Sequence, residues 1–177
     1  LTLACFQNTN LQIIQYLVDD LKMDISYKNK NGDNCLTLAC WQNTNLEIIK
    51  YLINDLKMDI SHMNNEHDSC LSLACSKNTN LGIVKYLVDF YQKLSGNNLK
   101  IDPNHKNING DNCLTLACWG NTNLEIIRYL INDLNMDQNY RNNDDDNSLT
   151  LACRGNTNLE VIKYLINDLK MDLNHKN

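Results

Sequence analysis

One short string of residues recurs five times along the chain at nearly constant spacing. The string Leu-Thr/Ser-Leu-Ala-Cys begins at residues 1, 36, 71, 114 and 149, so that successive copies lie 35, 35, 43 and 35 residues apart. A fixed period of this length is typical of solenoids, in which one small unit stacks against its neighbours. The sequence therefore predicts a single array of about five repeats over residues 1–177.

The 43-residue step contains eight extra residues, which fall within residues 89–102 around the segment from Ser95 to Asn98. We expect this insertion to form either a loop or an extension of the second helix. The chain begins inside a first helix at Leu1 and stops at Asn177 in a loop that leads towards another unit. Because neither end has the polar face of a capping repeat, we interpret the chain as a fragment of a longer array.

Each unit contains two segments with helical features. Asn34 precedes the second string and is expected to cap a short helix through its side-chain oxygen. Thr44 and Glu47 match the capping-box pattern, which predicts that the threonine caps a second helix. Apolar residues at helical spacing follow, so this second helix is expected to be mostly buried. The Asn-Gly-Asp segments at residues 31–33 and 109–111 predict hairpin-like loops between short extended segments.

The composition favours a packed helical protein and disfavours several classes of partner. The chain is 43% hydrophobic with only 1 proline and 6 glycines, and its formal net charge is -5. A negative chain has no general attraction to nucleic acid or to anionic lipid. No apolar run approaches the roughly 18 residues that a membrane span needs, and no signal peptide is evident. We therefore expect a protein partner, and no nucleic acid, membrane or small-molecule substrate.

The eight cysteines occupy periodic positions. Five end the repeated string and three precede it: Cys5, Cys40, Cys75, Cys118 and Cys153, and then Cys35, Cys70 and Cys113. Equivalent residues of packed repeats lie about 8 to 10 Å apart, whereas a disulfide needs Cα atoms within about 7 Å. We therefore exclude disulfides within a column, expect the columns to be too far apart to pair, and interpret the cysteines as small buried thiols in a reducing compartment.

The repeat resembles the ankyrin repeat along nearly the whole chain. The family's Thr-Pro-Leu-His-Leu-Ala-Ala stretch is similar to residues 34–40, its Glu-Ile-Val-x-x-Leu-Leu helix to residues 47–53, and its Gly-Ala-Asp-Ile-Asn exit to residues 57–61. Cysteine replaces the family's proline, threonine replaces its histidine, and the period is 35 residues instead of about 33. The resemblance implies an all-α solenoid of helix-turn-helix units with hairpin-like loops, acting in protein–protein interaction.

The Asn-, Ile- and Cys-rich composition is similar in style to ankyrin arrays of amoebal giant viruses and protists. That similarity implies a cytoplasmic protein, and for a viral protein the cytoplasm is that of the host cell. Such arrays resemble the recognition parts of larger adaptors that also carry ubiquitin-ligase-recruiting segments. The alternative function is a structural assembly element that self-associates through its repeat ends.

In ankyrin stacks the first helices and the loop tips line a concave groove, which implies a binding surface at those positions here. The residue after the repeated cysteine varies most, and Trp and Arg are enriched at interface hot spots, so Trp41, Trp119 and Arg154 are the expected anchors. The alternative is that the aromatic residues only shield the groove between repeats. The predicted partner-binding residues are Phe6, Lys30, Asn31, Asp33, Trp41, Gln42, Glu66, Asp68, Lys77, Ile108, Asp111, Trp119, Asp144 and Arg154.

A second column holds an aromatic or imidazole ring in every repeat and is expected to stack along the hairpins: Tyr27, His62, His105, Tyr140 and His175. The run from Asp144 to Asp146 is interpreted as a solvated loop tip, with recognition of a basic partner as the alternative.

His62, His67, Cys70 and Cys75 are of the types that ligate zinc. However, both cysteine columns also occur in repeats without these histidines, so we predict no metal site. The sequence has no Gly-rich phosphate loop, His-Glu-x-x-His or Gly-x-Ser-x-Gly motif, and we predict neither a cofactor nor catalytic residues.

Overall fold

The computed structural model describes residues 1–94 and 102–172, and these residues form five pairs of helices. The first helices of the pairs are α1 (Thr2–Gln7), α3 (Cys35–Gln42), α5 (Cys70–Lys77), α7 (Cys113–Gly120) and α9 (Ser148–Gly155). The second helices are α2 (Leu11–Gln15), α4 (Leu46–Lys50), α6 (Leu81–Leu94), α8 (Leu124–Arg128) and α10 (Leu159–Lys163). Each first helix packs against the first helix of the next pair, which gives the predicted helical solenoid.

A π-helical turn continues every second helix except α6. These turns are Tyr16–Asp20, Tyr51–Asp55, Tyr129–Asp133 and Tyr164–Asp168. They were not predicted, because the apolar spacing of a helix does not distinguish an α turn from one wider π turn. After three of these turns a lysine adopts a positive φ, such as Lys57 at 54°, at the point where the ankyrin pattern has its glycine.

The predicted caps of the first helices are confirmed. The Asn34 side chain accepts from the backbone N–H groups of Leu36 and Thr37, at 2.9 and 3.0 Å. The Thr37 hydroxyl accepts in return from the Asn34 N–H at 2.9 Å, which completes a capping box. The equivalent positions Asn112 and Asn147 cap α7 and α9 in the same way.

The predicted threonine cap of the second helices is wrong. Asn45 caps α4, because its side chain accepts from the Glu47 N–H at 2.9 Å, while Thr44 is exposed. Glu47 does not reach back to a cap residue, since its carboxylate pairs with Lys50 at 2.8 Å. Asn45 takes the cap position because the side chain of Asn43, two residues earlier, accepts from the Asn45 N–H at 2.9 Å and fixes the turn.

The second helices form the other half of the core, as predicted. Ile48, Ile49 and Leu52 are fully buried against the first-helix layer. Before the insertion, α6 extends to 14 residues and has no π turn, whereas Ser95 to Asn98, around which the insertion is predicted, lie outside the described residues. Tyr91 near its end donates to the carbonyl of Ile60 at 2.8 Å, and residues 95–101 lie outside the described residues.

The loops between repeats contact one another tip to tip. The Asn65 N–H donates to the Asn31 carbonyl at 2.8 Å, and the Ile108 N–H donates to the Glu66 carbonyl at 3.0 Å. Gly32 has a φ of 79°, and a Cβ there would lie 2.5 Å from Asn65 Oδ1. Both the backbone conformation and the close contact therefore require glycine in the predicted turn. In place of the expected extended segments, the described loops contain one isolated bridge, Met63 with Ser69.

Candidate binding groove

An asparagine turn fixes the end of each first helix after α1 against the preceding repeat. Asn78 is fully buried, and its amide donates to the carbonyls of Cys40 and Asn43 at 3.0 and 2.9 Å. Asn43, Asn121 and Asn156 make the same pair of bonds in their repeats. Sequence analysis missed this framework, although the string Asn-Thr-Asn recurs at residues 8–10, 43–45, 78–80, 121–123 and 156–158.

A second asparagine column holds the carboxylates along the loop edge of the groove. Asp33 accepts from the Asn64 amide at 3.0 Å, Asp68 accepts from Asn107 at 3.1 Å, and Asp111 accepts from Asn142 at 2.9 Å. Each of these bonds joins two neighbouring loops. The three predicted acidic residues therefore have a structural role, and recurring asparagines at 29, 64, 107 and 142 were the sequence signal for it.

The loop edge is a strip of mutually repelling carboxylates. Burial raises the pKa of Asp68, the charges of Glu66 and Asp111 raise it further, and hydrogen bonds from Asn107 and Ser72 oppose the change. Burial likewise raises the pKa of Asp111, and the negative charges of neighbouring acidic residues raise it further. A basic group placed along this edge would relieve the repulsion.

Trp41 and the loop edge line one cavity of about 220 Å³ between α3, α5 and two loops. The lining residues are Asn31, Asp33, Trp41, Asn64, Glu66, Asp68 and Leu73. On another side the Trp41 ring lies 5.3 Å from the Phe6 ring, centroid to centroid. The structure thus brings together six of the predicted partner-binding residues, with an aromatic wall facing acidic ones.

Trp119 occupies the same column two repeats later and is 44% exposed. The Lys77 ammonium lies 5.0 Å from the centre of its ring, and a Cβ on Gly155 would come within 2.5 Å of the ring. Because Gly155 has no side chain, the Trp119 ring can lie against the next repeat. A glutamine at this position, which is what the second repeat has at Gln42, would clash with the ring. Sequence analysis noted this glycine position but not its effect, which depends on a neighbour in another repeat.

Arg154 forms an ion pair with Asp146, whose side chain is 0% exposed. The prediction of a fully solvated acidic tip is therefore wrong for Asp146, although Asp144 and Asp145 are exposed. A buried carboxylate requires a partner, and the arginine of the groove column supplies it. The guanidinium of Arg154 is therefore already paired with a carboxylate of its own repeat.

The other predicted residues lie singly on the surface. Ile108 is 49% exposed at a loop tip. Lys30, Gln42 and Asp144 are also exposed.

The ring column makes hydrogen bonds with the preceding loop. His62 Nε2 lies 2.8 Å from the Gly32 carbonyl oxygen, His105 Nε2 lies 3.0 Å from that of His67, and the Tyr140 hydroxyl donates to Gly110 at 2.6 Å. These three rings join neighbouring loops through hydrogen bonds of their polar ends and not through the expected stacking, and Tyr27 of the first repeat is exposed. His175 lies outside the described residues.

All eight cysteines are free thiols, and seven are buried, whereas Cys153 is exposed. The two cysteine columns interact across repeats, because the Cys35 thiol raises the pKa of Cys5. Burial and the Cys70 thiol raise the pKa of Cys40, and the Cys75 thiol and burial raise that of Cys113, so the candidate zinc ligands Cys70 and Cys75 interact with cysteines of neighbouring repeats. Among the described residues, no group of three or more His, Cys, Asp or Glu side chains is arranged to hold a metal ion.

Comparisons with known proteins agree with this architecture. A family model described as ankyrin repeats (3 copies) matches residues 1–98 and 92–177. A search of curated proteins gives no significant match. In the part of the chain that the structure describes, no helix has the length and apolar character to cross a bilayer. The stacked helix pairs and the matched family model together place this chain in the ankyrin repeat family.

Proposed function

We propose that this chain binds a segment of another protein along the groove between its first helices and loop tips. The observation that carries the proposal is the cavity in which Trp41 faces Asp33, Glu66 and Asp68. An aromatic wall beside carboxylates suits a basic side chain with an apolar stem, and cation–π attraction would add to the charge pairing. The expected ligand is therefore an extended or helical segment with basic and apolar residues.

Variation within the chain supports this location. The turn residue is asparagine in every repeat, whereas the column after the repeated cysteine holds Phe, Trp, Ser, Trp and Arg. A purely structural column has no reason to change so much while its framework stays constant. Trp119 is the most exposed aromatic ring of this column, and one partner segment that crossed three repeats would reach both tryptophans.

A random peptide library displayed on phage and selected on the 177-residue chain tests the proposal. Selected peptides should be rich in Lys, Arg and apolar residues, and Trp41→Ala or Trp119→Ala should weaken their binding about 30-fold, which corresponds to about 2 kcal/mol. Leu159→Ala is the control, because Leu159 is an exposed apolar residue on the second-helix layer. Peptides that bind all four proteins equally would move the site away from the groove.

Two further proposals concern context. We propose a reducing cytoplasm as the compartment, supported by eight free cysteines, and a recognition role without catalysis within a larger adaptor.

Self-association through repeat ends is the second candidate. Leu3, Ile13 and Leu21 of the first repeat are exposed in this chain, and they offer an apolar surface to another copy. Sedimentation at increasing concentration should then show dimers that Leu3→Asp abolishes. A monomer at every concentration would eliminate this candidate and leave groove binding intact.

A further inference from the structure

A lysine and a tryptophan from adjacent repeats form a platform in the groove. Lys77 ends α5, and its ammonium lies 5.0 Å from the centre of the Trp119 ring and donates to the carbonyl of Gly120 at 3.4 Å. A Cβ on Gly120 would lie 2.9 Å from the same nitrogen. The absence of a side chain at Gly120 therefore leaves room for the ammonium, as Gly155 does for the ring. The ring and the carbonyl together hold the charge in place on the groove surface.

The positive charge of Lys77 has no carboxylate partner within the described part of the chain. The ion pairs found there use other cations: Lys50, Arg128, Arg141, Arg154 and Lys163. Arg154, the other cation of the groove column, is neutralised by Asp146. An ammonium has three N–H donors, of which a backbone carbonyl takes one here. Because Lys77 is exposed, its other donors are available to a carboxylate from outside the chain.

The neighbouring part of the groove has the opposite charge. The Trp41 cavity lies one repeat interface earlier and is lined by Asp33, Glu66 and Asp68. In the described residues no lysine or arginine lies over the Trp41 ring, whereas Lys77 already lies over the equivalent ring of Trp119. The two tryptophans of one column therefore differ in what they offer. Trp41 can accept a cation from a ligand, and Trp119 presents a cation to it.

We propose that the groove binds a protein segment with two opposite charges, in which a basic side chain enters the Trp41 cavity and a carboxylate pairs with Lys77. The inference rests on the proposed groove-binding function and adds the sign and the order of the charges along the groove. Apolar atoms of the segment pack on the ring of Trp119, which is 44% exposed. Packed helix layers lie about 8 to 10 Å apart and an extended chain rises about 3.3 Å per residue, so one or two layers correspond to charges about three to six residues apart.

The test uses peptides selected from the random library on the 177-residue chain. They are synthesised with acetylated and amidated ends, with their Asp and Glu residues either kept or replaced by Asn and Gln, and binding is measured by fluorescence polarisation. Replacing the carboxylate should weaken binding about 10-fold, and Lys77→Gln should weaken binding of the original peptide equally. The two changes together should cost no more than either alone, because they remove the same ion pair. Lys77→Glu should prefer a peptide in which lysine replaces the carboxylate.

Lys85→Gln is the matched control. Lys85 lies 5.1 Å from the centre of the Tyr129 ring, so it joins the same two repeats through the same kind of contact, on the second-helix layer. Lys85→Gln should leave peptide affinity unchanged, and thermal unfolding should show that it and Lys77→Gln alter stability to a similar small extent.

Two kinds of failure are distinguishable. Selected peptides without a carboxylate, an unchanged affinity of Lys77→Gln, or losses that simply multiply when both changes are combined would overturn the charge order. Groove binding would survive each of these results if Trp41→Ala still weakens binding. Peptides that ignore both tryptophan substitutions would overturn the groove itself and this inference with it.

Discussion

The asparagine turn and the groove column lie at the same end of the first helices, yet they differ in every respect. The turn residue is asparagine in each repeat, is buried at Asn43, Asn78 and Asn121, and bonds with the repeat before it. The groove column, two residues earlier, changes from repeat to repeat and keeps Trp119 exposed. The fold thus places its most constant side chain beside its most variable one.

The difference shows how stacking and recognition are separated. Inter-repeat bonds made by a buried amide leave no freedom for substitution, because two backbone carbonyls would lose their donors. The neighbouring position holds rings, a hydroxyl and a guanidinium in different repeats, and Trp119 there is exposed. Stability should therefore depend on the core and the turn, and binding on the column.

Replacing Leu52 by alanine should have the largest effect on the free energy of unfolding. Leu52 is fully buried in the second-helix layer, and a truncated leucine leaves a cavity, so we expect a loss of about 2 to 5 kcal/mol. Leu17 is the equivalent residue of the first repeat and is only half-buried, so Leu17→Ala should cost less. Urea denaturation measures both. A cost below about 1 kcal/mol for Leu52→Ala would place Leu52 on the wrong helix face.

Asn78→Ala should come next, at about 2 to 3 kcal/mol, because it leaves the carbonyls of Cys40 and Asn43 without their donor in a site closed to water. Asn8→Ala is the matched control: the Asn8 side chain accepts from the Asn10 N–H, and the bond that Asn8 accepts from Asn43 is made by its backbone carbonyl, which alanine keeps. Equal losses for the two variants in urea denaturation would show that the bridging bonds contribute nothing and that the comparison between turn and column fails.

The tryptophans of the column should affect stability less than either framework residue. Trp119→Ala should lower the unfolding free energy by less than about 1 kcal/mol, as at other exposed positions. Trp41→Ala should cost about 1 kcal/mol more, because the Trp41 ring also stacks on Phe6. Thermal unfolding of both variants tests this order. A larger loss for Trp119→Ala would make Trp119 part of the framework.

Sequence predicted what depends on local patterns. The repeat period, the Asn34 cap and the glycine turn at Gly32 follow from residues within a few positions of one another. The second-helix cap failed because Thr44 and Asn45 compete for it, and Asn43 decides the outcome.

The remaining features depend on contacts between repeats. The amide bridges of Asn78 reach residues 35 and 38 positions away, and the burial of Asp146 depends on Arg154. The interaction between the two cysteine columns also arises only on stacking, since it joins residues of different repeats. Recurrence marked the asparagines, the aspartates and the cysteines in the sequence but not Arg154, and only the stacked structure shows which of these residues meet.

The smallest expected effect concerns the charge of the loop edge. Burial raises the pKa of Asp68 above its ordinary value of 3.8, so the unfolded chain releases this proton at a lower pH than the folded protein does. Stability is therefore lost as the pH rises from 3.8 through the raised pKa, and the folded protein retains this cost at neutral pH. Asp68→Asn removes the charge and keeps an oxygen that accepts from Asn107, so it should be more stable than the original at pH 7. That advantage should vanish below pH 3.8, where Asp68 is protonated in both states.

Urea denaturation at several pH values measures the difference, and Asp20→Asn controls for removing one exposed surface charge. An Asp68→Asn variant that is equally destabilised at every pH would show that hydrogen-bond geometry, and not charge, governs the loop edge.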